Sequence, residues 1–124
     1  MKVVVTGGHG FVGRALGRRL AATGAEVVLA DLLTATGVVA LDVGDAGAVR
    51  EVIRADVHIV FHLASVVSGQ GEIDFEGAMR VNLEGTRNVL EACRLVETTP
   101  RLVFASTLAV FGGPAAQESP ASAP

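Results

Sequence analysis

The 124-residue chain contains no tyrosine and no tryptophan, and it has a single cysteine, Cys93. One thiol cannot close an internal disulfide, and no spacing of a metal-ligand set appears, so the fold has to hold without covalent or metal cross-links. A lone cysteine suits the reducing cytoplasm, the expected compartment. A basic block is also missing. The one local cluster, Arg14, Arg18 and Arg19, falls on a predicted helix and reads as a solvated face, while the formal net charge is −3. That falls short of a nucleic-acid footprint, so no nucleic-acid partner is expected. Long apolar runs are absent as well. The first one, Val3-Val4-Val5, meets Gly7, Gly8 and Gly10 at once. It is too short for a signal segment or a membrane span, so no membrane partner is expected.

What is present is small and aliphatic. Half of the residues are hydrophobic, mostly Val, Leu and Ala, beside 15 glycines. Such a composition suits a parallel sheet whose strands are covered on both faces. Val3–Val5 reads as a buried strand. Phe11/Val12, Ala15/Leu16 and Leu20 have helical spacing, and Gly24 closes that helix as a left-handed cap. Glu26–Ala30 and Val38–Leu41 read as the second and third strands. Asp45 can cap a helix whose buried face is Val49, Val52 and Ile53. A fourth strand is expected over Val57–Leu63. A long helix should run from about Ile73 to Val96, with Phe75, Ala78/Met79, Val89/Leu90 and Cys93 inward. Leu102–Ala105 is the fifth strand. Strands alternating with helices imply an α/β fold, a Rossmann-type doubly wound parallel sheet of about five strands in spatial order 3-2-1-4-5. Residues 1–113 then form one domain, and 114–124, rich in Gly, Pro, Ala and Ser, form a loop or a disordered tail.

The first strand-to-helix bend carries the chemistry. Gly7-x-x-Gly10-x-x-Gly13, also readable as Gly8-x-Gly10-x-x-Gly13, sits between a strand and a helix. A Cβ in this bend would block the tight turn and hold the backbone away from a pyrophosphate. Amides at the helix start, around Phe11 and Val12, then meet the negative charge. Asp31 ends the second strand about 20 residues on, where the dinucleotide fingerprint requires an acid for the adenosine ribose. Its charge would repel a 2′-phosphate, and its neighbours Leu32 and Leu33 bring no cation to offset that. NAD is therefore expected as cofactor rather than NADP.

Further motifs follow in order: Asp42-Val43, His62-Leu63-Ala64-Ser65, Val81-Asn82-x-x-Gly85-Thr86, and Ser106-Thr107-x-x-Val110-Phe111-Gly112. With the glycine loop, this ordered set resembles the extended short-chain dehydrogenase/reductase family, which includes NAD-dependent epimerases and dehydratases. The stretches from His62 to Gly69, Asp74-Phe75, Asn82 to Arg87 and Ala109 to Gly113 look most like family members that oxidise a four-carbon acid sugar at its 2-hydroxyl. The resemblance implies an oxidoreductase acting on a small acid-sugar substrate, with a homo-oligomeric assembly. It implies that Asp42 and Val43 contact the adenine and that Leu63, Ala64 and Ser65 line the cofactor. It gives Thr107 the catalytic hydroxyl that bonds the reacting oxygen, puts Ser68 and Gly69 beside the substrate, and makes Asn82 a shaper of the cofactor site. Read from the residues alone, Asp42 can equally begin a turn before Gly44, and Ser68 can be a solvated loop serine. His62 reads best as a satisfied structural histidine. Asn82, on the apolar stripe, needs hydrogen-bond partners and can tie its helix to a neighbouring backbone.

In one respect the sequence departs from the family. Its chemistry uses a Tyr-x-x-x-Lys pair downstream of the Thr107 position, whereas this chain has no tyrosine and its only lysine is Lys2. Oxidising an alcohol needs a base for the hydroxyl proton, and a threonine does not ionise near neutral pH. The expectation is an amino-terminal portion, truncated before the pair, that is inactive alone and has an open edge at the fifth strand. Two alternatives remain: a stand-alone NAD-binding module without catalysis, and part of a nucleotide-sugar epimerase.

Overall fold

The computed structural model describes residues 1–66 and 74–106. The chain runs β1 (Lys2–Thr6), α1 (Phe11–Ala22), β2 (Glu26–Asp31), β3 (Val38–Ala40), α2 (Ala46–Val52) and β4 (Ile59–His62). It continues with α3 (Phe75–Met79), a π-helical turn (Arg80–Gly85), α4 (Thr86–Leu95) and β5 (Arg101–Phe104). The strands form one sheet in the order β3-β2-β1-β4-β5, as the alternation of elements implies. All pairings are parallel. β1 lies at the centre, and Val3, Val4 and Val5 are fully buried. Strand order reverses at β1, so the crevice for a ligand opens at the carboxyl ends of β1 and β4. There Thr6 stands in register with Ala30 on one side and His62 on the other.

Alternation along β1 sends Val4 to one face and Val3 and Val5 to the other. Val4 packs with Val49, Ile53, Val57, Val60, Val89, Ala92 and Cys93, joining α2 and α4 to the sheet. Asp45 caps α2 by accepting from the Ala48 amide at 3.2 Å. Gly24 follows α1 with φ +89°, in the left-handed conformation that ends a helix.

One helical expectation needs correction, and α1 packs in a way its apolar spacing does not show. Phe11 and Val12 are not part of the buried face of α1: they are 87% and 61% exposed, and the buried residues are Gly13 and Gly17. The first turn of α1 overhangs the end of the sheet, and the helix comes close enough that only glycine fits beneath it. A Cβ on Gly13 would collide with the Gly7 carbonyl oxygen and come within 2.8 Å of Gly8 Cα. The stretch predicted as one helix from Ile73 to Val96 is interrupted by the π-helical turn. The wider turn adds a residue and rotates what precedes it by about 100° relative to a continuous α-helix. Phe75 and Met79, which precede the turn, therefore face outward; Leu90, beyond it, is exposed as well, and the core contacts come from Gly85, Val89, Ala92 and Cys93. The start of that predicted helix at Ile73 and the predicted tail 114–124 lie outside the described residues.

The two buried glycines of α1 should respond differently to alanine. At Gly17 the added methyl meets the Leu29 side chain, which can turn away, whereas at Gly13 it meets backbone. Gly13→Ala should cost about 1–3 kcal/mol, and Gly17→Ala clearly less because the gain in helix propensity offsets the crowding. Equal losses in urea unfolding would contradict this backbone-to-backbone contact.

Candidate functional site

The glycine loop is built by the strand that precedes it. Gly7 takes φ +67°, and the Gly10 amide donates to the Gly7 carbonyl at 3.1 Å. The Gly8 amide donates to the Ala30 carbonyl at 3.0 Å, which ties the loop to β2. A Cβ on Gly7 would stand 2.8 Å from the Ala64 nitrogen, so the bend touches the backbone leaving β4. α1 starts at Gly10 without a side-chain cap. Its first amides have no partner within the helix and suit an anion.

Asp31 is half-buried at the end of β2. Its Oδ2 accepts the His9 amide at 3.0 Å and its Oδ1 accepts the Leu33 amide at 3.1 Å. The backbone of His9, not its ring, makes the loop contact. Each carboxylate oxygen keeps a lone pair for a further donor, as a ribose diol would require. Leu32 and Leu33 flank it, both exposed.

These parts surround a cleft of about 320 Å³ lined by Gly7, Gly10, Ala30 to Leu33, Leu41 to Val43, Leu63 to Val66 and Val81. The residues singled out from sequence that line it are Gly7, Gly10, Asp31, Leu32, Asp42, Val43, Leu63, Ala64 and Ser65. Gly13 sits beneath the loop, and Phe11 and Val12 stand exposed at the helix start. The close-packed glycines shape the bend beside the uncapped start of α1, and the acid lies beside the loop, so the residues present fit a dinucleotide.

Asp42 serves both a turn and the cleft wall. Its Oδ1 accepts the Gly44 amide at 2.9 Å, and Arg80 Nη1 donates to its two oxygens at 2.9 and 2.7 Å. Burial pushes its carboxyl up, but Arg80 and the Gly44 amide outweigh that and hold it below the ordinary 3.8. Val43 is fixed from behind, where its carbonyl accepts Asn88 Nδ2 at 2.9 Å.

Asn82 is exposed as a residue and does not face the core, contrary to its place on the predicted stripe. The rotation at the π-helical turn carries it toward the segment after β4. There its Oδ1 accepts the Val66 amide at 2.7 Å and its Nδ2 donates to the Val66 carbonyl at 3.1 Å. It holds one wall of the cleft without lining it. Thr107 and Ser68 lie outside the described residues.

His62 is 1% exposed. Its Nδ1 lies 2.7 Å from Thr6 Oγ1 and its Nε2 lies 3.1 Å from Thr86 Oγ1. Phe104 stacks on it with ring centroids 6.0 Å apart. Burial pushes the imidazole below its ordinary value of 6.5. Sequence reasoning missed Arg80, Asn88 and Thr6 as builders of the site. Among the described residues no group of three or more His, Cys, Asp or Glu could hold a metal, and no helix is long and apolar enough to cross a membrane.

The model of the NAD dependent epimerase/dehydratase family matches residues 3–124, and the chain belongs to that family. It is 40% identical over 131 aligned positions to D-erythronate dehydrogenase of Cupriavidus necator, an alignment covering 91% of this chain and 40% of that protein. It resembles UDP-glucose 4-epimerase from Brucella ovis, solved in complex with NAD, with a TM-score of 0.80 at 30% identity over 91% of this chain and 38% of that one. It also resembles a variant of uronate dehydrogenase from Agrobacterium tumefaciens complexed with NAD, with a TM-score of 0.69 at 33% identity over 86% of this chain and 40% of that one. The chain thus spans about two fifths of the length of the D-erythronate dehydrogenase it matches.

The buried histidine sets a pH dependence. Its folded value lies below 6.5, so as the pH falls through 6.5 the unfolded chain takes up a proton that the folded chain refuses. Stability from this group should be level above that pH and decline below it, down to the folded value. Asp42, depressed from 3.8, acts in a separate window: its contribution is present above 3.8 and lost as the pH falls through its folded value. Urea midpoints between about pH 8 and about pH 5 should fall more steeply for the parent than for His62→Gln. Parallel slopes would contradict a neutral His62.

Proposed function

We propose that this chain is the NAD-binding part of an oxidoreductase that acts on the CH–OH group of an acid sugar, a D-erythronate-like 2-hydroxy acid. The cofactor reading is carried by one observation: the Asp31 carboxylate accepts the His9 amide of the glycine loop and still lines the cleft. The first-turn amides of α1 would hold the pyrophosphate, Asp31 the adenosine ribose, and Asp42 and Val43 the adenine edge. Leu63, Ala64 and Ser65 would wall the far side. Bound there, NAD supplies the hydride acceptor. The substrate reading is supported by the 40% identity to D-erythronate dehydrogenase. Thr107 would bond the reacting oxygen, by resemblance to the family. These 124 residues contain no tyrosine, so the tyrosine that takes the proton in the family is not supplied by this segment. We expect the chain alone to bind NAD without turnover.

A second reading, part of a nucleotide-sugar epimerase, is favoured by the fold match to UDP-glucose 4-epimerase and keeps the same cofactor site. A longer protein containing this chain decides between them: reduction of NAD with D-erythronate supports the first, and interconversion of UDP-sugars supports the second.

Calorimetry of the chain tests the cofactor reading. NAD should bind at least about tenfold more tightly than NADP, since each 1.4 kcal/mol of charge repulsion is worth tenfold. Asp31→Ala should weaken NAD by about tenfold and narrow the gap to NADP, the loss of a charged hydrogen-bond partner being about 1.5–3 kcal/mol. Equal affinities for the two nucleotides, or an Asp31→Ala variant that binds NAD like the parent, would overturn the assignment.

A further inference from the structure

The wall of the cleft opposite Gly7 is the backbone of Leu63 and Ala64, and a line of interior hydrogen bonds holds it. The direction of each bond follows from counting donors and acceptors. The Thr86 hydroxyl donates to the Asn82 carbonyl at 2.7 Å, so its oxygen accepts the proton on His62 Nε2. His62 Nδ1 then carries no proton and accepts the Thr6 hydroxyl. Thr6 Oγ1, with its proton committed to the ring, accepts the Ala64 amide at 3.2 Å and shares the Leu63 amide, at 3.1 Å, with the Thr6 carbonyl at 3.2 Å. The opposite tautomer would set three donors on the Thr6 oxygen and leave its own proton without an acceptor, at a residue that is 0% exposed. One protonation pattern satisfies every group, and it is the neutral ring with the proton on Nε2.

The position of this relay gives it a function beyond filling the core. Thr6 holds the Leu63–Ala64 peptide unit that Gly7, the next residue, faces: a Cβ on Gly7 would stand 2.8 Å from the Ala64 nitrogen and 2.9 Å from the Leu63 carbonyl carbon. A shift of a few tenths of an ångström in Leu63–Ala64 therefore presses on the glycine loop or opens a gap beside it. None of Thr6, His62 and Thr86 lines the cleft. We propose that these three are positioning residues for the cofactor: they preset the Leu63–Ala64 backbone against Gly7 and so fix the shape of the cleft from inside the sheet. This rests on the NAD reading above, and it goes further by assigning a role to groups that do not line the cleft, two of them, Thr6 and His62, buried.

Two measurements on the chain test it. Nitrogen-15 NMR of labelled histidine near neutral pH should show His62 neutral with its proton on Nε2; a proton on Nδ1 or a charged ring overturns the relay. Thr6→Val keeps the shape of the residue and removes the hydroxyl. Its NAD affinity by calorimetry, measured where the variant is folded, should fall about tenfold, and Thr6→Ser should recover it to within about twofold. A folded Thr6→Val that binds like the parent, or a Thr6→Ser no better than Thr6→Val, overturns the proposal. If Thr6→Val does not fold, Thr86→Ala carries the test from the other end: NAD affinity should drop roughly threefold and His62 should lose its single tautomer, while no change in either overturns it. If the parent chain itself fails to bind NAD, the cofactor reading falls. The relay is then judged by hydrogen exchange of the Ala64 amide in Thr6→Val or Thr86→Ala, where lost protection supports it and unchanged protection overturns it.

Discussion

At the carboxyl end of the sheet, the backbone leaving β1 passes within van der Waals distance of the backbone leaving β4, and the geometry of the cleft depends on that approach. Three glycines permit it. Gly7 turns with a positive φ against Ala64, Gly8 closes on Leu29, and Gly13 lets α1 sit on the bend. Side chains at these positions would separate the elements, and the amides at the start of α1 would no longer face the space between the strands. The crevice at the reversal of strand order exists in every doubly wound sheet.

Polar groups then fix what the glycines allow. Asp31 joins the loop to β2 through the His9 amide, Arg80 and the Gly44 amide hold Asp42, and Asn82 pairs with the backbone of Val66. The Arg80–Asp42 pair is half-exposed, where such pairs contribute roughly 0.2–1 kcal/mol, so its value lies in orienting a carboxylate on the cleft wall more than in stability. Each of these contacts holds a wall of the cleft in place before any nucleotide arrives. A preformed cleft costs less ordering on binding.

Much of this was legible in the sequence because the signals are local. The strand order follows from strands alternating with helices. The glycine spacing fixes the bend, and the carboxylate ending the second strand comes at the required distance along the chain. Asp45 and Gly24 mark helix ends by chemistry that acts over a few residues. What escaped depends on tertiary placement. Arg80 reaches Asp42 across 38 positions of sequence, and Asn88 reaches Val43 across 45, with no periodicity to announce either. The apolar spacing of α1 does not show that the helix packs through Gly17 as well as through the Gly13 of the fingerprint, with Phe11 and Val12 left exposed. Helical spacing also assumed a regular helix through residues 80–85, so the faces of Phe75, Met79 and Asn82 were assigned one rotation away from where they stand.

That π-helical turn has a consequence for how the protein can change. Its wider ring lets one helical rod send the Asn82 side chain out to Val66 while its carbonyl accepts the Thr86 hydroxyl, which in turn meets the buried imidazole. A single-residue deletion between 80 and 85 would restore a regular spiral, swing everything before it by about a quarter turn, and tear the amide clamp from its loop. The segment should accept exchanges of side chain readily and changes of length hardly at all, so that among related proteins gaps are expected to avoid it even where identities differ.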